Sequence, residues 1–158
     1  MSNTLALYQR YSRWPFGNRL VSAAIGMRAP YFSTIHPLIL ELAPGLCRVQ
    51  INDRRSIRNH FGTIHAGAMC TLSELVGGLA VDVSLPQNLR WIPKEMTVRY
   101  LKKARGTLTA LCSFEPGILV LEDVPISLQI MDSSGESVLD ATIIFYISEQ
   151  KATTTTDS

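Results

Sequence analysis

Residues 65–84 read HAGAMCTLSELVGGLAVDVS, and this stretch decides the fold. Apolar residues recur in it at steps of three and four, the spacing that places side chains on one face of an α-helix. The resulting apolar stripe consists of Met69, Leu72, Val76, Leu79 and Val83. The sequence therefore predicts one long helix over roughly 65–84, buried along at least one side.

The flanking segments are rich in strand-forming residues. Before the helix, residues 35–43 and 46–52 form a predicted hairpin around Pro44-Gly45, a pair suited to the centre of a type II turn. After the helix, strands are predicted at 92–103, 106–115, 118–131 and 137–148. A parallel doubly wound sheet needs more helices than this. We therefore expect an α+β fold in which one curved antiparallel sheet wraps a single long helix.

The N-terminal thirty residues form a predicted helical extension. Residues 4–14 are expected to be a short helix capped by Ser2 or Asn3, and residues 18–25 add one or two helical turns. We expect a single domain over 1–148, with this extension at 1–30. The last ten residues, 149–158, are predicted to be a disordered tail.

Composition and charge argue against several classes of protein. A chain of 158 residues can bury one core without disulfides or a structural metal. A net charge of +2 gives a mild preference for anionic ligands and predicts no nucleic-acid partner. The cysteines, Cys47, Cys70 and Cys112, show neither a disulfide framework nor zinc-site spacing. Without a signal-peptide run or about 20 uninterrupted apolar residues, we expect a cytoplasmic protein with no membrane partner.

The long helix carries one carboxylate on the side away from its apolar stripe. At about 100° per residue, Glu74 lies nearly opposite the stripe. Its neighbours on that face are Gly67, Cys70, Thr71, Gly78 and Val81. Such small side chains allow a ligand or another chain to approach the carboxylate. Glu74 is either a surface charge or a functional group, and the loop before the helix favours the second interpretation.

That loop, residues 59–68, reads NHFGTIHAGA. It brings polar and small residues to a helix N-terminus, where unpaired N–H groups and the helix dipole favour negative charge. Such an end can act as an oxyanion hole. Hydrolysis of a thioester needs these donors together with a carboxylate that attacks the carbonyl or deprotonates water.

Asn59, His65 and Glu74 form the pattern N-x5-H-A-G-x6-E. This pattern resembles the signature of the PaaI-like acyl-CoA thioesterases of the hotdog superfamily, which is Asn, then His-Gly-Gly, then an acidic residue nine positions after the His. The motif covers residues 59–74, and the order of elements agrees over about 35–148. The chain departs from the signature at Ala66, where the family has Gly, and at Glu74, where many relatives have Asp.

The resemblance implies a role for each matching residue. Glu74 would be general base or nucleophile, the backbone N–H groups of Ala66 and Gly67 would polarise the thioester carbonyl, and Asn59 and His65 would orient carbonyl or water. In this family the site lies between subunits, so a homodimer or a dimer of dimers is implied. The substrate would be an acyl-CoA or another acyl thioester. No cofactor is expected, and the spacing of the histidines and Glu74 predicts no metal site.

Weaker signals concern substrate binding. His60 and Thr71 lie beside the motif and are candidate substrate contacts. Basic residues near a strand end are candidates for the coenzyme A phosphates, with a solvated strand edge as an equal alternative: Arg99, Lys102, Lys103 and Arg105. Another basic group competes for this role, namely Arg54, Arg55 and Arg58. Tyr31, Phe32 and Trp91 are candidates for the acyl channel, although core packing is the usual role of such residues.

Two other functions remain open. His60, followed fourteen residues later by Glu74, resembles the His and Glu pair of the 3-hydroxyacyl thioester dehydratases of the same fold. The loop between them lacks the prolines usual in those enzymes. A non-catalytic acyl-CoA-binding protein is the third possibility, because a fold does not guarantee an activity. The joint presence of Asn59, His65 and Glu74 favours the thioesterase.

Overall fold

The computed structural model describes residues 2–150. Within that range the helices are α1 (Asn3–Tyr11), α2 (Gly17–Arg28) and α3 (Ala66–Ser84). The strands are β1 (Leu38–Ala43), β2 (Leu46–Ile51), β3 (Leu89–Tyr100), β4 (Leu108–Ser113), β5 (Asp123–Met131) and β6 (Ser137–Glu149). Short 3-10 turns lie at Pro30–Ile35, Arg55–Ile57 and Pro116–Ile118.

The six described strands form one antiparallel sheet in the order β1-β2-β4-β5-β6-β3. Helix α3 crosses one face of this sheet and contacts every one of its strands. Strands β1 and β3 lie at the two edges. The predicted α+β class, with one long helix covered by an antiparallel sheet, is confirmed.

Helix α3 is the centre of the core. Its predicted apolar stripe is buried throughout, and Gly77 lets the helix approach the sheet, since a Cβ there would lie 3.2 Å from the Ile143 Cδ1 atom. The helix is long and apolar enough to cross a bilayer, but 67% of that stretch is buried inside the fold. Packing against the sheet therefore explains its apolar sequence.

Most predicted elements are present with shifted bounds. The hairpin turn is confirmed, with Gly45 at φ 75° as a type II turn requires. The strand predicted to reach residue 103 ends at Tyr100, and the one predicted from 118 begins at Asp123. Residues 118–121 are apolar in sequence, but no strand pairs with them and they stay largely exposed.

The N-terminal extension contains both predicted helices. The Ser2 side chain caps α1 by accepting from the Leu5 N–H at 3.3 Å. Helix α2 is longer than predicted and ends at Arg28. It is joined to the sheet by Ser22, whose hydroxyl oxygen accepts from the Ile39 N–H at 2.9 Å.

The predicted tail begins two residues too early. Glu149 is the last residue of β6, and the Gln150 N–H donates to the Asn88 carbonyl at 2.8 Å. The remaining part of the predicted tail, 151–158, lies outside the described residues.

Candidate functional site at the N-terminus and exposed face of α3

His65 begins the candidate site as the N-cap of α3. Its backbone is extended, and its Nδ1 atom accepts a hydrogen bond from the Gly67 N–H at 2.9 Å. Its own N–H donates to the Ile57 carbonyl at 2.8 Å, and the preceding Ile64 N–H donates to the Ala104 carbonyl at 2.9 Å. The imidazole is therefore fixed at the helix end by backbone contacts on both sides.

The two predicted oxyanion donors differ in availability. The Gly67 N–H is occupied by the His65 ring, so it is not a free donor in this conformation. The next N–H groups, of Ala68 and Met69, bond to the His65 carbonyl. The Ala66 N–H has no partner among residues 2–150 and remains the open backbone donor of the first helical turn.

The side chain of Asn59 makes its hydrogen bonds within its own loop. Its Oδ1 atom accepts from the N–H groups of Phe61 and Thr63, and its Nδ2 atom donates to the Thr63 hydroxyl at 2.9 Å. These contacts, with Gly62 at φ 70°, close the tight turn before His65. In this conformation Asn59 shapes the loop, and its amide has little capacity left for a substrate.

Glu74 lies on the exposed face of α3 and is partly buried. Its carboxylate makes no hydrogen bond or ion pair with any other residue between 2 and 150, so both oxygens are available to water or a ligand. It lines a cavity of about 420 Å³, whose other walls come from α1, α2, α3 and β3. The apolar part of this wall consists of Ile25, Phe32, Leu75, Leu79, Trp91 and Pro93.

His65 and Glu74 lie too far apart to act on one carbonyl within a single chain. They are nine residues apart along α3, which at 1.5 Å per residue is about 13 Å along the axis. His65 lines a separate cavity of about 320 Å³ with Gly67, Ala68 and Thr71. One chain thus presents the two halves of the predicted site at separate positions.

Gly78, one turn after Glu74, shapes the cavity around the carboxylate. The Trp91 indole of β3 lies directly over this glycine, and a Cβ at position 78 would stand 2.8 Å from the ring carbon Cη2. The indole also meets the Phe145 ring edge-on, with the centroids 5.3 Å apart. Trp91 is therefore held between helix and sheet as one wall of the cavity.

Cys70 lies on the same face of α3 as Glu74 and makes a polar contact with Tyr100. The Cys70 sulfur lies 3.1 Å from the Tyr100 hydroxyl oxygen. This hydrogen bond and partial burial raise the pKa of Tyr100 to about 12. The phenol is consequently a neutral group one helical turn from Glu74, at the end of β3.

The predicted substrate contacts beside the motif have different environments. Thr71 lines the His65 cavity, but its hydroxyl donates to the Gly67 carbonyl at 2.9 Å. His60 is exposed, and its ring lies 3.8 Å, centroid to centroid, from the ring of Phe61. No group of three His, Cys, Asp or Glu side chains within residues 2–150 is arranged to hold a metal ion.

The basic residues predicted to hold phosphates do not form one uniform cluster. Lys102 is paired with Asp132 at 2.7 Å and also with Glu136, and these carboxylates raise the pKa of Lys102. Arg99 faces away from α3, opposite Asp140 on β6. Arg99, Lys103 and Arg105 are all exposed, and none of the three makes an ion pair within the described chain.

In the other basic group, Arg54, Arg55 and Arg58, two residues already make contacts within the chain. Arg58 donates from Nε to Asp53 at 2.6 Å, and its guanidinium lowers the pKa of that carboxyl. Arg54 donates to the Thr34 carbonyl at 3.0 Å. Arg55 is exposed and, within residues 2–150, unpaired.

Arg28 and Asp82 also line the Glu74 cavity and were not predicted from the sequence. Asp82 accepts from the Ser2 hydroxyl at 3.2 Å, which joins α1 to α3. Asp82 follows Glu74 by two helical turns, so helical spacing could have identified it. Nothing in the sequence identifies Arg28 as a cavity residue, because its position depends on how α2 packs in the folded chain. Of the candidate channel residues, Phe32 and Trp91 line this cavity, and Tyr31 lines the His65 cavity.

A family model described as a domain of unknown function, DUF4442, matches residues 17–147. The chain belongs to the DUF4442 family. The match begins at the first residue of α2 and ends within β6, so it spans β1 to β5, most of β6, and both His65 and Glu74. No curated protein matches this DUF4442 chain.

Solved structures show what this DUF4442 fold resembles. A structural-genomics protein described without a function is 34% identical with a TM-score of 0.82, covering 93% of this chain and 98% of its own. A Pseudomonas aeruginosa protein described as a probable thioesterase is 22% identical with a TM-score of 0.76, covering 87% of this chain and 97% of its own. A Haemophilus influenzae thioesterase is 14% identical with a TM-score of 0.70, covering 78% and 86%. The likeness to these structures shows that the chain has the hotdog fold, in which one antiparallel sheet covers a single long helix.

Proposed function

We propose that this DUF4442 protein hydrolyses acyl thioesters, with acyl-CoA as the substrate class. The observation that carries the proposal is the unpaired carboxylate of Glu74, which opens onto an apolar cavity. The cavity volume of about 420 Å³ falls within the range of small-molecule pockets. The thioesterase names of structural neighbours agree with this assignment.

The site would be completed by a second copy of the chain. Strand β3 is an edge strand of twelve residues, and an exposed edge of that length is normally covered. Pairing two copies along β3 would place the exposed face of α3 at the interface, because β3 packs beside that face. The His65 end of one chain would then face Glu74 of the other, which removes the separation of about 13 Å within one chain.

The reaction then follows from the groups present. Glu74 takes a proton from a water molecule, and the water oxygen forms a bond to the thioester carbonyl carbon. The carbonyl oxygen becomes an oxyanion, stabilised by the open Ala66 N–H and the His65 Nε2–H. The carbon–sulfur bond breaks as the carbonyl re-forms, and the thiolate takes up the proton. In the alternative route, a Glu74 oxygen bonds to the carbonyl carbon and the carbon–sulfur bond breaks, which leaves an anhydride and a thiolate that takes a proton from solvent. Water then hydrolyses the anhydride to the free acid and restores the Glu74 carboxylate.

The parts of the substrate would occupy different walls of the site. The acyl chain fits the apolar wall formed by Ile25, Phe32, Leu79 and Trp91. Lys103, Arg105 and Arg55 are better candidates for the coenzyme A phosphates than Lys102 or Arg58, because carboxylates already pair with the last two.

The test is thiol release from acyl-CoAs of increasing chain length, including a 3-hydroxyacyl-CoA, by wild type and Glu74→Gln. We expect the variant to lose a factor of about 10²–10⁴ in rate, the usual contribution of a general base. Glu115→Gln, which removes an exposed carboxylate elsewhere, is the matched control. Absence of thiol release from every substrate contradicts the proposal. Loss of water from the 3-hydroxyacyl substrate would indicate a dehydratase instead.

A further inference from the structure

Helix α2 has an uncovered apolar stripe on the side away from the core. Leu20, Ala23 and Met27 follow one another at steps of three and four, so they share one face of the helix, and the exposed Phe16 stands immediately before its first residue. The exposed fractions of Phe16, Leu20 and Met27 are 73%, 57% and 78%. The stripe therefore makes no contribution to the core of this chain.

Aromatic residues extend the stripe at both ends. Trp14 precedes it and is 61% exposed, and Tyr31 follows it and is 70% exposed. Phe16 adopts a left-handed backbone, φ 61°, which is costly for a bulky residue and directs the chain sharply into α2. Contiguous apolar surface of this kind usually marks an interaction site.

The charge around the stripe has a single sign. The first forty residues contain four arginines, Arg10, Arg13, Arg19 and Arg28, and no aspartate or glutamate. The net charge of the whole chain is only +2, so the remainder is negative overall. Arg19 and Arg28 lie on either side of the apolar stripe of α2. Apolar and aromatic side chains flanked by arginines match a helix that lies in the interface of an anionic membrane.

The same helix forms a wall of the Glu74 cavity. Ile25, on the opposite side of α2 from the stripe, and Arg28 and Ala29 at its C-terminus line that cavity. A surface bound to the stripe would therefore lie one helix diameter from the cavity, about 10 Å.

We propose that the corner formed by α1 and α2 docks on the surface of a bilayer containing anionic phospholipids. The apolar stripe enters the headgroup region, and the four arginines contact the lipid phosphates. No membrane-spanning segment is required for this mode of binding. The proposal therefore replaces the expectation of no membrane partner, which rested on the lack of a signal-peptide run and of a long uninterrupted apolar stretch. Docking stands independently of catalysis. A further step, in which an acyl thioester dissolved in the membrane passes into the Glu74 cavity, depends on the proposed function.

The test is cosedimentation of the full-length protein with vesicles of phosphatidylcholine alone or mixed with phosphatidylglycerol. We expect binding only to the mixed vesicles and its loss at high salt, which screens the arginines. Arg13→Gln with Arg19→Gln should weaken binding roughly 25-fold, from about fivefold per arginine. Leu20→Ser with Met27→Ser should abolish it. Because these side chains are exposed, the variants are expected to fold, which circular dichroism checks.

Control variants remove the same kinds of side chain from other parts of the surface. Val120→Ser with Leu121→Ser removes exposed apolar surface, and Arg48→Gln removes an exposed arginine from β2. Both controls should bind like wild type. Failure of the wild type to bind mixed vesicles, or equal weakening by the controls, overturns the proposal. A change in molecular mass caused by the α2 variants, without vesicle binding, would assign the stripe to contact between copies of the chain. A thioesterase assay on soluble short-chain acyl-CoA reports separately on the proposed function.

Discussion

The Nδ1 atom of His65 accepts a hydrogen bond from the backbone N–H of Gly67 at 2.9 Å. A neutral imidazole that accepts at Nδ1 carries its proton on Nε2, so this contact sets which nitrogen can donate to a ligand. The same contact removes one of the two predicted oxyanion donors. His65 thus combines a helix cap with a directed N–H group, beside the open N–H of Ala66.

Two substitutions separate the structural and chemical roles of His65. His65→Ala should lower the free energy of unfolding by about 1 kcal/mol, the usual effect of losing an N-cap. It should also reduce thiol release. His65→Asn keeps an acceptor for the Gly67 N–H but has no ring N–H at the Nε2 position. We expect it to recover stability in urea unfolding and to leave thiol release impaired. Recovery of both would assign His65 a capping role alone.

The contact between Gly78 and Trp91 predicts a change in acyl-chain preference. The methyl group of Gly78→Ala would stand 2.8 Å from the indole, so the ring must move into the cavity. Chain-length profiles should shift to shorter acyl groups, and a second change, Trp91→Leu, should reverse the shift. Gly117→Ala adds a methyl group where nothing lies within 4 Å and serves as the control. An unchanged profile in Gly78→Ala would show that Trp91 does not limit the acyl site.

The contacts of Asp53, in the segment before the candidate site, predict that the free energy of unfolding depends on pH. It accepts from Arg58 at 2.6 Å and from the Gly106 N–H at 3.1 Å, which lowers the pKa of its carboxyl. A lowered folded pKa stabilises the protein above the ordinary carboxyl pKa of about 3.9, and this stabilisation is lost as pH falls through the lower folded value.

Asp53→Asn should therefore lower the urea midpoint at pH 7, and the difference from wild type should narrow as pH falls below about 3.9. Glu122→Gln, which removes an exposed carboxylate with no described side-chain partner, should leave the midpoint unchanged at both pH values. A constant difference across pH would show that Asp53 acts through packing rather than through its charge.

Regular periodicity made much of this fold predictable. The α3 stripe and the alternating burial of β5 follow directly from residue spacing, and Pro44-Gly45 identified the hairpin. The bounds near 101–103 and 118–122 were wrong because apolar and basic residues there resemble a strand. The backbone contact with β6 in these segments is limited to single hydrogen bonds, at Leu101 and at Glu122, and no ladder forms. Lys102 leaves β3 and pairs with Asp132 instead.

The site was less predictable than the fold, because it depends on side-chain orientation and on contacts distant in sequence. The motif singled out Glu74 and His65 as candidates, and their catalytic roles stay predictions. It could not show that the His65 ring occupies the Gly67 N–H or that Asn59 is used in closing its own loop. Arg28 reaches the cavity because α2 packs on α1 and β1, which brings the C-terminal end of α2 to the cavity that α3 also lines, and residue spacing does not encode that packing.

The most direct test of a site shared between two chains is mixing of two inactive variants. His65→Ala and Glu74→Ala are denatured together, refolded as a mixture and assayed for thiol release from acyl-CoA. In a shared site, each mixed dimer has one complete site, because an intact His65 loop meets an intact Glu74 from the other chain. Random pairing then restores about a quarter of wild-type activity. If mixed dimers form, as native mass spectrometry would show, and activity does not return, the account of a shared site is contradicted.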